Sequence, residues 1–409
     1  MKISRKIALT TTVCLGLMAG VTHADPPSGS GWDKNPDVVI GGGSDTTYLV
    51  SQRLEVLYNG APGCLITTST TSANKGKCSD TTAAATGVIN GNYDHDIMVS
   101  AAATGSSAGV NALLPTGVQY NPVIDYARSS RGPSGTETND ATFWGFARDG
   151  IAVLTFGTRG SVALTRQNLI DIYTCLPTAD DWSDFGLPAG AIIPWDMNSA
   201  SGTYSAFRTY IGNPTFGTCV RKLTTGAAPF ENDVKPILAD QGPVAGYGAD
   251  DDENNYLWWM SFGNWQQYPY TKNGAIDGSG AAINSNLVTV EGTSPSDGSI
   301  FNSTYAVMRT LFQVTKNTDA DCRQVPGSAG VCDNVGAAVY GTSAGKGGAV
   351  REFTQWLCRT SNTQHAINGV TGKGYRTEIV SALNAEGFQQ LSSSVAGLRT
   401  AGYACEVKS

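Results

Sequence analysis

Four short stretches of the chain concentrate hydroxyls: Ser44-Asp45-Thr46-Thr47, Ser106-Ser107, Ser129-Ser130-Arg131 and Ser201-Gly202-Thr203. Ser and Thr hydroxyls donate hydrogen bonds, Gly lets a ligand come close to the backbone, and a helix start adds free N–H groups. Together they can hold an anion. One such turn alone reads as an ordinary N-cap, because Ser and Thr are common there. Four in one chain favour an anion site.

The surrounding patterns say how the turns are positioned. In NSASGTYSAFRTYIG (198–212), Tyr204, Phe207 and Ile211 fall on one helix face, and Gly212 and Pro214 end the run. Residues 191–195 form a short strand before it. Residues 37–40 form a strand, followed by GGGSDTT (41–47) and a helix over 48–58 with Val50, Leu54, Leu57 and Tyr58 on one face. A strand over 95–100 leads into TGSSAG (104–109) and a helix over 110–114 closed by Pro115. A further strand over 122–127 enters RSSRG (128–132). Each turn follows a strand and three feed a helix. Open α/β sheets bind ligands at the carboxyl ends of their strands, so the four turns are expected to converge there.

The chain's ends and composition narrow the class. Lys2, Arg5 and Lys6 precede an apolar run over 7–21 and then Thr22-His23-Ala24, the pattern of a signal peptide cleaved near Ala24. No lipid anchor is evident around Cys14. Residues 25–36 read as a flexible leader. Cleavage takes three of 27 basic residues and no acid, leaving 24 against 34 and a net charge of −10. That balance disfavours nucleic acid or an anionic membrane as partner, but not a small buried anion.

The eight cysteines of the processed chain suit an oxidising compartment, and local closure predicts Cys64–Cys78, Cys175–Cys219, Cys322–Cys332 and Cys358–Cys405. Without a CxxC, and with only His95 and His365 left after cleavage, no zinc site is expected. No cofactor is expected either. About 385 residues exceed one ordinary core, so two domains are expected.

Read in order, these motifs resemble the phosphate-binding proteins of ABC transporters. The likeness rests on residues 41–48, GSSAGVNAL (105–113), residues 125–130 and Ser201-Gly202-Thr203. WGFARDGIAVLTFG (144–157) resembles the family's strand crossing into the second domain, and LTRQNLIDIY (164–173) with Trp182 resembles a segment of that domain. The likeness runs over roughly 37–315. It implies an α/β, two-lobed type 2 periplasmic-binding-protein fold, with 37–148 plus 300–409 as lobe I and 149–299 as lobe II. It further implies a monomer that captures phosphate or a similar oxyanion and hands it to an ABC permease. Thr46 or Thr47, Ser106 and the Ser201-Gly202-Thr203 turn would then donate to the anion. Two positions depart from the family: Met197 stands where an Arg is usual, and Ser130 where an Asp is usual. Arg131 is the expected replacement cation, with Arg128 paired to Asp125, and Asp45 the expected acceptor.

Two rivals remain. GxSxG, the nucleophile elbow of α/β-hydrolases, occurs at Gly341–Gly345 and Gly105–Gly109; a secreted hydrolase or phosphatase would use Ser343 with His365. A surface protein that has lost its ligand is the third reading, with the Trp-rich run 257–265 as its binding face. That run is expected to be core instead.

Overall fold

The computed structural model describes residues 38–59, 65–66, 78–79, 96–99, 105–114, 124–223, 225–229, 253–267, 275–276, 282–283, 285–316, 349–358, 375–391 and 404–408. The leader segments before residue 38 fall outside this set, as do Ser343 and His365.

Among the described residues, the main path of a ten-stranded sheet is β1 (Val38–Gly43), β2 (Asp96–Val99), β3 (Tyr126–Ser129), β4 (Ala141–Phe156), β5 (Ile193–Pro194), β6 (Tyr256–Ser261) and β7 (Met308–Lys316), and three short strands add to β4 off this path. The order along the path is β2-β1-β3-β7-β4-β6-β5. β1 pairs in parallel with β2 and β3, and β5 with β6, while β7 is antiparallel to β3 and β4. The 16-residue β4 organises the molecule. Its residues 141–150 pair with β7, and residues 151–155 pair with β6. Burial alternates over residues 141–145 and is continuous from Asp149 to Phe156, as expected where both faces become covered.

Helices α1 (Tyr48–Asn59), α2 (Ser106–Leu113), α3 (Arg166–Tyr173), α4 (Gly202–Tyr210), α5 (Ala349–Cys358) and α6 (Tyr375–Ala385) cover the sheet. α1 buries Val50, Leu54 and Tyr58, the face its spacing predicts, and Tyr58 meets Phe353 and Trp356 of α5 edge-on at 5.2 and 5.1 Å. α4 ends at Gly212 with φ 84°, the left-handed stop that only glycine adopts freely. Its Phe207 stacks on Trp259 at 4.3 Å. The Trp-rich run is core: Trp258 and Trp259 are wholly buried.

The core falls into separate groups. One runs from Ile151 to Val307, with Trp182, Trp195, Phe207 and Trp259 at its centre. The others gather α1, α2, α5 and α6 around the opposite end of the sheet. Ile300, Tyr305 and Val307 pack with the first group. Cys175–Cys219 and Cys358–Cys405 are bonded as local closure predicts. The other two expected pairs rest on residues outside the described set.

Several boundaries differ from those read in the sequence. α2 begins at Ser106 rather than Val110, because Gly105, at φ 95°, turns the chain directly into the helix. β7 runs 308–316, and Tyr305 and Val307 just before it are drawn into the Ile151–Val307 core. β3 begins at Tyr126; just before it, Asp125 turns its carboxylate to accept from the Ile40 N–H at 2.8 Å.

Candidate functional site

The carboxyl ends of β1 and β3 and the starts of α2 and α4 meet at one buried point. Its hub is Ser130, the residue after β3. Ser44 Oγ donates to Ser130 Oγ at 3.0 Å, and Thr46 Oγ1 does so at 3.3 Å. Ser106 Oγ lies 3.1 Å from the same oxygen and accepts from the Ser130 N–H at 2.9 Å. Thr46 Oγ1 lies 3.4 Å from Thr203 Oγ1, which joins α4 to the cluster. All five residues are at most 1% exposed. So four turns from distant parts of the chain bring five hydroxyls together, beside the N-termini of three helices.

Close backbone approach makes this possible. A Cβ on Gly202 would lie 2.2 Å from Ser130 Oγ and 2.4 Å from Ser106 Oγ, so only glycine fits there. Likewise a Cβ on Gly109 would lie 2.5 Å from the Gly43 Cα, which lets α2 sit directly on the end of β1.

The other sequence-predicted residues hold these turns in shape. Ser201 caps α4, accepting from the Thr203 and Tyr204 N–H groups at 3.0 and 3.4 Å. Thr47 donates to the Ser44 carbonyl at 3.3 Å, and Ser129 Oγ donates to the Arg131 carbonyl at 2.7 Å. Of the pair left open in the sequence, Thr46 is in the cluster and Thr47 is in the turn. Ser107 accepts from Arg131 Nε at 3.2 Å. Asp45 is half-buried near Arg128 and its carbonyl accepts the Tyr48 N–H at 3.0 Å.

The arginines are arranged otherwise than expected. Arg131 aims its fork at Glu137, with Nη1 and Nη2 donating to the two carboxylate oxygens at 2.9 and 2.8 Å. Burial raises the Glu137 pKa, but the Arg131 bonds and charge and the Ser134 N–H outweigh it and hold it below the ordinary value. Arg128 donates to the carbonyls of Gly41 and Gly43 at 2.7 and 3.5 Å, fastening β3 to β1. Burial lowers its pKa, against the opposing pull of Tyr126, Asp45 and Tyr48.

The guanidinium that touches the cluster is Arg309 of β7. It donates to Thr203 Oγ1 through Nη1 and to Thr46 Oγ1 through Nη2 at 3.3 Å. Nε and Nη2 also donate to Asp149 Oδ2 at 2.9 and 2.7 Å. Asp149 Oδ1 in turn accepts the Gly263 N–H at 3.2 Å. Neither residue stands in a Gly/Ser/Thr turn, so the signal that found the hydroxyls missed both. The available hint was Asp149 in RDGIAVLTF and Arg309 in VMRTLF, charges at or within largely apolar runs.

Two lobes bridged by β4 and β7, with donors gathered where strands end and helices begin, make a type 2 periplasmic-binding-protein fold. The chain belongs to the PBP superfamily, whose domain signature matches residues 26–330. Among solved structures, the fold matches a Clostridium perfringens protein assigned as a phosphate ABC transporter substrate-binding protein, solved with phosphate bound. That match has a TM-score of 0.50 at 17% identity and covers 87% of this chain and all of the other. An ABC-type phosphate transport receptor from Vibrio cholerae matches at 18% identity with a TM-score of 0.42, covering 69% of this chain and 88% of its own. No curated protein matches by sequence. Among the described residues, no helix is long and apolar enough to cross a membrane, and no group of side chains is suited to a metal ion.

Proposed function

We propose that this chain is an exported binding protein that captures phosphate or a similar tetrahedral oxyanion and delivers it to an ABC permease. One observation carries the reading: Ser44, Thr46, Ser106, Ser130 and Thr203 meet in a buried cluster with the Arg309 guanidinium against it. Hydroxyls can rotate their protons toward a bound oxyanion. Helix N-termini add N–H groups and a favourable dipole, and an arginine fork can bond two oxygens at once. Arg309 takes the cationic role that the sequence reading gave to Arg131, whose fork is occupied by Glu137. Asp149 is a ready acceptor for a protonated oxyanion beside Arg309.

The work is binding rather than catalysis. Ligand closes the lobes, whose borders are drawn near residues 150 and 307, where the core groups part. The chain acts as a monomer after cleavage near Ala24. The neighbours' descriptions as phosphate transport proteins support the ligand class. The test is a calorimetric titration of stripped protein with phosphate, arsenate, sulfate and a phosphonate. Saturable binding of phosphate or arsenate is expected; no binding of any tetrahedral oxyanion overturns the reading.

A further inference from the structure

Beside the hydroxyl cluster lies an open groove of about 650 Å³, and Arg309 belongs to both. Arg131, Arg148, Arg309 and Lys408 line it, together with five hydroxyl residues, Ser107 and Thr209 among them. No carboxylate is in the lining, although each basic group has an acid near it. Glu137 holds Arg131, Asp149 holds Arg309, and Glu406 holds Lys408 at 3.1 Å and adds a favourable field at Arg148. The acids stand behind and the cations in front. The chain as a whole is acidic, so this local concentration of positive charge is not a by-product of composition.

Size sets the second constraint. A cavity of several hundred cubic ångströms is the size of an organic-ligand pocket, far larger than a five-atom oxyanion needs. Its lining also excludes several occupants. Lys408 Nζ covers the Phe312 ring at 5.3 Å, so that ring offers no open stacking face to a base or sugar. The lack of a carboxylate disfavours a cation. A second anionic group is what four cations and five hydroxyl residues would recognise.

We propose that this groove is a subsite for a second phosphoryl group, so that the ligand class includes condensed phosphates. The inference rests on the oxyanion reading of the hydroxyl cluster. The first phosphoryl group sits against the hydroxyls and Arg309. The bridging oxygen passes Arg309, and the second phosphoryl group lies against Arg148 and Lys408. Both of these side chains are partly exposed but neighbour the buried Glu406, so near-ultraviolet circular dichroism of the double variant is the control for folding.

The experiment titrates the purified chain with orthophosphate, pyrophosphate and glycerol 3-phosphate, beside the double variant Arg148→Gln/Lys408→Gln. Losing charge-assisted bonds to the second group should weaken pyrophosphate binding by about tenfold or more. Orthophosphate should stay within about twofold of the parent, the tolerance for an independent site. Glycerol 3-phosphate, which has no second anionic group, should be insensitive to the double variant. The subsite is overturned if orthophosphate binds and pyrophosphate does not. It is also overturned if the variant weakens both equally, as general electrostatic steering would. If neither anion binds, this inference falls together with the reading beneath it.

Discussion

Asp149 and Arg309 stand directly opposite each other in the antiparallel register of β4 and β7, and their side chains form a buried ion pair at 2.7 Å. The position matters as much as the contact. Each residue lies where its strand passes from one core group to the other. From there Arg309 reaches Thr46, which follows β1, and Thr203 at the start of α4. One guanidinium therefore touches donors that belong to both halves of the molecule. In the proposed function, that reach would let it bond the oxyanion and couple its arrival to closure.

The first prediction concerns affinity. Arg309→Lys keeps a positive charge but loses the planar fork. It should weaken phosphate binding about tenfold or more, the loss of one or two charge-assisted hydrogen bonds. Titration calorimetry checks this, with near-ultraviolet circular dichroism as the control for folding. Arg131→Ala should cost much less, because its guanidinium is bound to Glu137. The reverse order of effects would return the cationic role to Arg131.

The second concerns stability. Removing one member of a buried pair leaves the other charged and unsatisfied, at roughly 3–5 kcal/mol. Asp149→Asn should lower the denaturation midpoint sharply. A double variant Asp149→Leu/Arg309→Met removes both charges and should recover most of the loss while failing to bind phosphate. Equal instability of the single and double variants would mean the pair is not the source of the effect.

The two halves of the site differed in how readable they were. Ser44, Thr46, Ser106, Ser130 and Thr203 were legible because each lies in or beside a Gly/Ser/Thr-rich turn that follows a strand, and such turns announce themselves. What could not be read was which hydroxyls face inward. Ser201 and Thr47 have the same chemistry as Thr203 and Thr46 but spend it on their own turns. The charged pair was hidden for a different reason. Asp149 and Arg309 are 160 residues apart, and only the β4–β7 register brings them together. The Arg131–Glu137 fork was not legible because Glu137, six residues on, lies in a 3-10 turn that the pattern did not resolve.

The third prediction tests the close approach at α4. Gly202→Ala adds one methyl group where Ser130 Oγ and Ser106 Oγ would lie 2.2 and 2.4 Å away. The helix itself favours alanine over glycine by up to about 1 kcal/mol, so a purely helical effect would stabilise. Displacement of α4 from the hydroxyls should instead abolish phosphate binding with little loss of helix signal. Retained affinity would mean the cluster tolerates being pushed apart.

The fourth addresses the Cys175–Cys219 bridge, which spans 44 residues. Closing a loop of that size restricts the unfolded chain by about 4 kcal/mol in the chain-entropy account. Cys175→Ser/Cys219→Ser should therefore melt earlier by several degrees, while phosphate affinity at low temperature changes little, since neither cysteine is in the cluster. Unaltered melting would mean that the reduced chain keeps structure enough to make the bridge redundant.

The last prediction follows from the Arg131–Glu137 fork. The Glu137 carboxyl is held below its ordinary pKa: burial alone would raise it, and the bonds and charge of Arg131 with the Ser134 N–H overcome that. A carboxylate with a depressed folded pKa contributes stability above its unfolded value, about 4.3, and loses it as pH falls through the folded value. Glu137→Gln should therefore be less stable than the parent at about pH 7, and the gap should shrink in acid as the parent's own carboxylate takes up its proton. Urea midpoints measured at about pH 7 and about pH 3 give the comparison. A gap that stays constant across that range would mean the carboxylate charge contributes nothing. A gap that widens in acid would reverse the sign of the linkage and contradict the fork as the source of the shift. The same variant frees the Arg131 guanidinium beside the groove, so its anion affinity should rise or stay level rather than fall.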